Sequence, residues 1–278
     1  MMARAKRVPG APGALVPIGG AESGSREPVT LGRFIYESGG PGCELVVVPT
    51  GSSDGDTGAR YREIFARLGA RVVHLVDPRN RHEANDEQMV ALVRRASGIF
   101  LTGGDQYRLA ARLRGTAVGR AIRTAHLAGV TVGGTSAGAA VLSSQMIAFG
   151  KSGATPRAGM VTLSPGLGLT ARFIIDQHFR QRDRLGRLLT ALATYPRRIG
   201  IGLDEDTAAV IRPDGFEVVG AGAITVVDAT RSSARTPRHP DRLDPISIAN
   251  LTLHVLAHGA TFDITTRTAT PPPGTSEA

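Results

Sequence analysis

A serine held between glycines gives the sharpest chemical signal in the chain. Gly134-Thr135-Ser136-Ala137-Gly138 fits the pattern Gly-x-Ser-x-Gly. In that pattern a strand turns sharply into a helix, the nucleophile's backbone is strained and its Oγ stands clear of the sheet. The Ala137 N–H and the helix start behind it are placed to donate to a developing oxyanion. A second glycine turn, Thr102-Gly103-Gly104-Asp105-Gln106, follows the apolar run Gly98–Leu101. Ligands of an open parallel sheet bind along that strand edge. Gly103 or Gly104 is therefore expected to supply a second oxyanion N–H, and Gln106 to hold a substrate amide.

A nucleophilic serine needs a base, and the base needs an orienting acid. Of the seven histidines, His178 is singled out by its place in Asp176-Gln177-His178-Phe179, directly after the apolar Phe173–Ile175. A polar cluster at a strand end costs free energy unless it is used. His74 falls inside a strand pattern and His126 on a helix, so these two read as structural, and His239 lies in a polar loop. For the acid, Asp204, Glu205 and Asp206 follow one another past a strand. Spacing leaves these three and Asp176 open. Arg180, Arg182, Arg184 and Arg187 follow His178. Guanidinium forks grip carboxylates at two points, so the cluster reads as a substrate-carboxylate site rather than a solvated helix face.

These residues must be positioned by alternating strands and helices. Strands are predicted at Ala14–Ile18, Glu44–Pro49, Arg71–Val76, Gly98–Leu101 and Val130–Gly133, and helices at Thr30–Ser38 and Thr57–Leu68. Asn85 is expected to cap a further helix through Ala96, and one helical stretch to run from about Gln106 to Ala128. This rhythm predicts an α/β sandwich of three layers around a mainly parallel sheet. Beyond Met160 the rhythm changes to Phe173–Ile175, a basic helix Arg182–Thr194, and short strands at Ile199–Leu203, Ala208–Ile211, Glu217–Val219 and Ala223–Val227. Residues 231–245 read as a Pro-rich loop, and Leu251–Leu256 with Thr261–Ile264 as a closing hairpin. Residues 1–12 are expected to be a disordered lead, 13–267 one domain and 268–278 a disordered tail.

Composition narrows the function classes. The chain has 278 residues, 41% hydrophobic and 21% charged, which suits a globular domain. No apolar run reaches the ~20 residues of a membrane helix. A single cysteine, Cys43, excludes an intrachain disulfide framework and a cysteine-built zinc site. The net charge of +9 comes from 33 basic residues, of which only Lys6 and Lys151 are lysines. The arginines are dispersed and aromatics are only 4%, which argues against a nucleic-acid partner. The basic N-terminus lacks the apolar core of a signal peptide, so a cytoplasmic protein is expected.

Several stretches together resemble the cyanophycinase family of serine peptidases, which is related to dipeptidase E. They are VPIGGAE (16–22), ELVVVPTGSS (44–53), YREIFARLGA (61–70), GIFLTGGDQYRL (98–109), GVTVGGTSAGAAVLS (129–143), GLGLTARFIIDQHFRQRDRLGRLLTAL (166–192), GIGLDEDTA (200–208) and LHVLAHGATFDI (253–264). The resemblance implies a class I glutamine amidotransferase-like (flavodoxin-like) fold with extra short strands toward the C-terminus, and commonly a homodimer. It implies Ser136 as nucleophile, His178 as base and Glu205 as the orienting acid. It also implies that Gln106, Asp176, Arg182, Arg184 and Arg187 bind substrate. The implied substrate is cyanophycin, a poly-aspartate carrying arginine on each β-carboxyl, released as β-Asp-Arg dipeptides without cofactor or metal. One departure is Asp183, where a small residue is more usual. It is expected to pair with a neighbouring arginine and weaken carboxylate binding. The competing expectations are an aspartyl or isoaspartyl dipeptidase, a non-catalytic amidotransferase-like binding module and a nucleic-acid binder.

Overall fold

Apolar strands alternating with amphipathic helices build the first half of the chain. The structure is a computed structural model that describes residues 10–22, 28–235 and 243–274. In chain order, β1 (Leu15–Ile18), α1 (Val29–Glu37), β2 (Glu44–Val48), α2 (Thr57–Arg67), β3 (Val72–Leu75), α3 (Glu87–Arg95), β4 (Gly98–Leu101), α4 (Gln106–Leu113), α5 (Ala117–Leu127), β5 (Thr131–Thr135) and the single turn α6 (Ala137–Ala140) complete it. There follow β6 (Gln145–Gly150), β7 (Val161–Pro165), β8 (Phe173–Asp176), α7 (Leu185–Thr194), β9 (Ile199–Leu203), β10 (Thr207–Ile211), β11 (Gly215–Gly220) and β12 (Ala223–Asp228). The chain closes with β13 (Ser233–Arg235), β14 (Ser247–Ala249), β15 (Thr252–Ala257), β16 (Thr261–Asp263) and β17 (Thr268–Thr270).

The central sheet has nine strands in the order β17-β16-β11-β10-β1-β5-β4-β2-β3. From β3 through β1 the pairing is parallel, and β10, β11, β16 and β17 extend it antiparallel. The uninterrupted apolar runs of β2 (ELVVV) and β4 (GIFL) are those of strands covered on both faces. On one face α1 and α2 pack Leu31, Phe34, Ile64 and Phe65 around Phe100. The ring centroids of Phe34 and Phe65 lie 5.1 and 5.0 Å from that of Phe100, edge-on. Each such buried ring contributes roughly 1.5–3 kcal/mol. The other face is covered by α3, α4 and α5. This is the three-layer α/β architecture read from the sequence.

A second sheet, β15-β12-β9-β8, explains the changed rhythm after Met160. One of its faces shares the main core through Phe173, Ile175, Ile201 and Val226, and α7 covers the other with Leu188 and Leu192. Here β8 and β9 run parallel, with Asp176 beside Gly202, so the two strands end close together.

Several sequence expectations are corrected. Asp86, not Asn85, caps α3, its carboxylate accepting from Gln88 N–H and Met89 N–H; Asn85 ends a 3-10 turn before it. The stretch expected as one helix to Ala128 is two, broken at Gly115 (φ 74°), with Thr116 capping α5. The expected closing hairpin does not form: β15 pairs with β12, whereas β16 joins β11 and β17 in the other sheet. The expected disordered tail begins with a strand, because β17 adds to the edge of the central sheet. The Pro-rich loop carries β13 at its start. Residues 1–9, 23–27, 236–242 and 275–278, which include most of the expected lead, lie outside the described residues. The β6–β7 hairpin has no counterpart among the strands expected from the sequence.

Candidate active site

Ser136 follows β5 directly with φ 51° and ψ −113°, a backbone conformation that strains any residue with a Cβ. Such strain costs about 1–3 kcal/mol and persists only where the surroundings over-determine it. Here the glycines do so. A Cβ on Gly138 would lie 2.0 Å from the Leu101 carbonyl oxygen, and one on Gly134 would lie 2.4 Å from that of Gly138. The turn can close only because both positions lack side chains. The helix expected behind the serine is the single turn α6. Its dipole is therefore small, and any anion stabilisation rests on individual first-turn N–H groups such as that of Ala137.

Gly103, at the end of β4, borders the serine: a Cβ there would sit 4.0 Å from Ser136 Oγ. A Cβ on Gly104 would point elsewhere, into the loop after β2. This residue has φ 129°, and its Cβ would lie 2.2 Å from Gly51 O, so the glycine serves close approach to that loop. Asp105 caps α4 by accepting from Arg108 N–H at 2.9 Å. The Gln106 amide donates to Ala148 O at 2.6 Å and Ile147 O at 3.2 Å, which ties α4 to β6.

His178 also has a strained backbone, with φ 46°. Its N–H donates to Gly19 O at 2.8 Å, bridging the end of β8 to the end of β1. Its ring packs closely against Gly20, where a Cβ would be 2.3 Å from the imidazole Cε1. Nε2 lies 2.9 Å from Ser136 Oγ, and Nδ1 lies 2.6 Å from Glu205 Oε1. The acids that spacing left open are thereby separated. Asp204 accepts from the N–H groups of Arg180 and Ala223, Asp206 faces Thr30, and Asp176 faces arginines. Burial holds the His178 imidazole below its ordinary range, and Arg182 and Arg184 push it the same way against the opposing pull of Glu205. The ring is thus neutral at neutral pH, the state a base requires.

The arginines divide. Asp176 is 1% exposed and Arg187 4%. Arg187 Nε donates to Asp176 Oδ2 at 2.6 Å and its Nη2 to Oδ1, a bidentate pair. Arg184 reaches Asp176 Oδ1 at 3.4 Å and Gln177 Oε1 at 2.8 Å, while its buried Nε has no hydrogen-bond partner among the described residues. Burial, together with Arg187 and Arg182, pushes Arg184 down to about 10 despite Asp176. Arg182 is exposed in the 3-10 turn Arg180–Arg182, ahead of α7 rather than inside the expected basic helix. Asp183 is exposed, has φ 47° and makes no ion pair among the described residues, so the expected pairing with an arginine is not formed. The left-handed backbone is one that glycine adopts freely and that Asp and Asn tolerate best among the other residues.

Sequence reasoning missed four contributors. Gln177 packs under Arg184, and Gln181 Oε1 accepts from Glu205 N–H at 3.2 Å. Gly19 and Gly20 seat the histidine. All four lie within stretches already singled out, but only the contacts reveal their tasks. Among the described residues, no three His, Cys, Asp or Glu side chains converge as a metal site. No helix there is long and apolar enough to cross a membrane.

The family profile described as Peptidase family S51 matches residues 18–219, which include Ser136, His178 and Glu205. The chain belongs to peptidase family S51. It is a peptidase, hence a hydrolase. This S51 chain is 41% identical over 261 residues to the cyanophycinase of Nostoc sp. (strain PCC 7120 / SAG 25.82 / UTEX 2576), covering 93% of this chain and 88% of that protein. It is likewise 41% identical over 249 residues to the cyanophycinase of Geminocystis herdmanii (strain PCC 6308), covering 88% and 92%. In fold it is similar to the crystal structure of a peptidase from an acI-B1 Actinobacterium, with TM-score 0.64 at 24% identity over 83% of this chain and 96% of that one.

Proposed function

We propose that the chain is a serine exopeptidase that hydrolyses cyanophycin to β-Asp-Arg dipeptides. The observation that carries this reading is the hydrogen-bonded line from Ser136 Oγ through the His178 ring to Glu205. Similarity to cyanophycinases over nearly the whole chain supports the choice of substrate.

In this reading His178 Nε2 takes the Ser136 hydroxyl proton as Oγ attacks the scissile backbone carbonyl. Glu205 holds Nδ1–H and stabilises the imidazolium that forms. The oxyanion is held by the N–H of Ala137 with one from Gly103 or Gly104. His178 returns the proton to the leaving amine, and water then releases the acyl group by the reverse sequence. The dipeptide unit carries both a guanidinium and carboxylates. Asp176 with Gln177, and Arg182, Arg184 and Arg187, bring both signs of charge to the wall beside His178, while Gln106 lines the β4 side. Arg182, which is exposed and unpaired among the described residues, and Arg184, with its orphan Nε, are the groups with donors to offer. The enzyme is taken to act as a cytoplasmic homodimer on the polymer's end.

The pairing of Arg187 with Asp176 favours a second reading, a dipeptidase for short aspartyl or isoaspartyl peptides, which needs fewer free arginines. Purified protein is mixed with insoluble cyanophycin, clearing is followed and products are weighed by mass spectrometry, with Ser136→Ala alongside. β-Asp-Arg from the parent and none from the variant is the expected result. A folded parent that leaves granules intact but cleaves isoaspartyl dipeptides would replace the first reading with the second.

A further inference from the structure

The three residues of the candidate triad come from three separate strand ends, yet each is tied to one five-residue segment, Ile18–Glu22. Ser136 N–H donates to Ile18 O at 3.0 Å, His178 N–H to Gly19 O at 2.8 Å, and the N–H of Asp206, next to Glu205, to Gly20 O at 2.8 Å. The fourth link is a side chain. Thr135, the residue before the serine, donates its hydroxyl to Glu22 Oε2 at 2.7 Å. The other oxygen of Glu22 accepts from Tyr61 Oη at 2.5 Å.

Glu22 is 1% exposed and, among the described residues, meets hydroxyl donors and no Lys or Arg. A buried carboxyl without a cation is costly unless its partners are well placed. Tyr61 is itself fixed, its ring 5.2 Å from that of Phe100 in the main core. Ala21, the residue that turns Glu22 inward, has a strained φ of 61°. Burial, and then the nearby Glu22, hold the Asp206 carboxyl beside Glu205 above its usual range.

We propose that Glu22 is a positioning residue. By joining Thr135 to Tyr61 it fixes the end of β5 against the turn that carries the carbonyls for Ser136, His178 and Asp206, and so sets the distance from Ser136 Oγ to His178 Nε2. The proposal rests on Ser136 acting as the nucleophile. A displacement of about 1 Å in such a pair costs about a hundredfold in rate.

The test compares Glu22→Ala, Glu22→Gln and Thr135→Val with the parent. The readouts are kcat and KM on cyanophycin, the rate of Ser136 labelling by a fluorophosphonate, and the melting temperature. Labelling needs no polymer, so it reports on the nucleophile even if the substrate reading fails. Glu22→Ala is expected to lower kcat and labelling about a hundredfold with KM nearly unchanged. Glu22→Gln is expected to restore both to within about tenfold, because its amide can accept from one hydroxyl and donate to the other. Thr135→Val keeps the shape and loses one bond, with an expected loss of about tenfold. If Glu22→Ala does not fold, the two isosteric variants decide the matter. Parental kcat and labelling in both of them, or losses that merely follow melting, would overturn the proposal. Ser136→Ala separates the failures. Labelling and hydrolysis that survive in it overturn the nucleophile reading and this proposal together. An inert Ser136→Ala beside an unimpaired Thr135→Val overturns this proposal alone.

Discussion

The turn around Ser136 and the cluster around Asp176 lie at neighbouring strand ends and are built by opposite means. The serine turn depends on the absence of side chains: Gly134 and Gly138 let backbone meet backbone, and Ser136 sits between them in its strained conformation. The Asp176 cluster is held by the presence of charge, with Arg187 gripping the carboxylate at two points and Arg184 leaning on it. The first kind of construction leaves its functional atom free. The second ties up the Arg187 fork, which would otherwise be free to bind ligand. Removing a side chain should therefore act on chemistry in the first region and on stability in the second.

The largest expected effect is on the serine side. Ser136→Ala removes one oxygen from a half-buried site, so the melting temperature should stay near the parent's while kcat falls by about 10⁴–10⁶. Comparable losses of stability and activity would show that the hydroxyl also holds the fold together. On the charged side, Asp176→Ala leaves two buried guanidinium groups without their shared carboxylate. Chemical denaturation should show a loss of about 3–5 kcal/mol. If stability were instead unchanged and only KM moved, the arginines would be ligand-binding groups in spite of their pairing, and the contrast between the regions would fail.

This contrast also explains what could be read from the sequence. The serine turn was legible because its requirement is local: five consecutive residues, two of them glycine, at the end of an apolar run. The parallel core was legible for the same reason, since β2 and β4 announce burial on both faces. The role of Asp176 among the arginines was not, because spacing cannot tell a guanidinium that waits for a ligand from one already paired. The choice of Glu205 among consecutive acids depends on the direction of a loop leaving β9, which residue type and spacing do not fix; in the sequence only the family resemblance singles it out. The crossing of β15 and β16 into different sheets was hidden because each strand reads correctly while its partner lies elsewhere in the chain.

A substitution on the glycine that seats His178 sharpens the comparison further. Gly20 has φ 105° and its missing Cβ would enter the His178 ring. Gly20→Ala should displace the imidazole from Ser136 and lower kcat by about a hundredfold, with a smaller change in melting temperature. If the loss of stability were the larger effect, this glycine would belong with the structural group.

The pH profile probes the point where the two regions meet. His178 sits below its ordinary range through burial and through the positive charges of Arg182 and Arg184. A base must be unprotonated, so kcat/KM should be level at neutral pH and fall on the acid side, with its midpoint below the ordinary histidine value of ~6.5. Arg182→Ala removes a charge that disfavours the imidazolium, so the midpoint should move up toward that value. Arg182 is exposed, so the movement should be small and should shrink with added salt.

The smallest expected effect concerns Asp183, between Arg182 and Arg184 at the edge of the charged region. It is exposed, makes no ion pair among the described residues and holds a left-handed backbone, while its carbonyl accepts from Gly153 N–H at 2.6 Å. Its identity therefore matters through backbone conformation rather than through the neighbouring arginines. Asp183→Gly relieves the strain but frees the unfolded chain, two opposing contributions of up to about 1 kcal/mol each, so the melting temperature should move little. KM should stay within about twofold, because an exposed, unpaired carboxylate exerts only a weak, screened field. A clear fall in KM would mean that Asp183 repels the substrate's carboxylates, and the charged region would then reach out to the ligand at its rim while remaining paired at its centre.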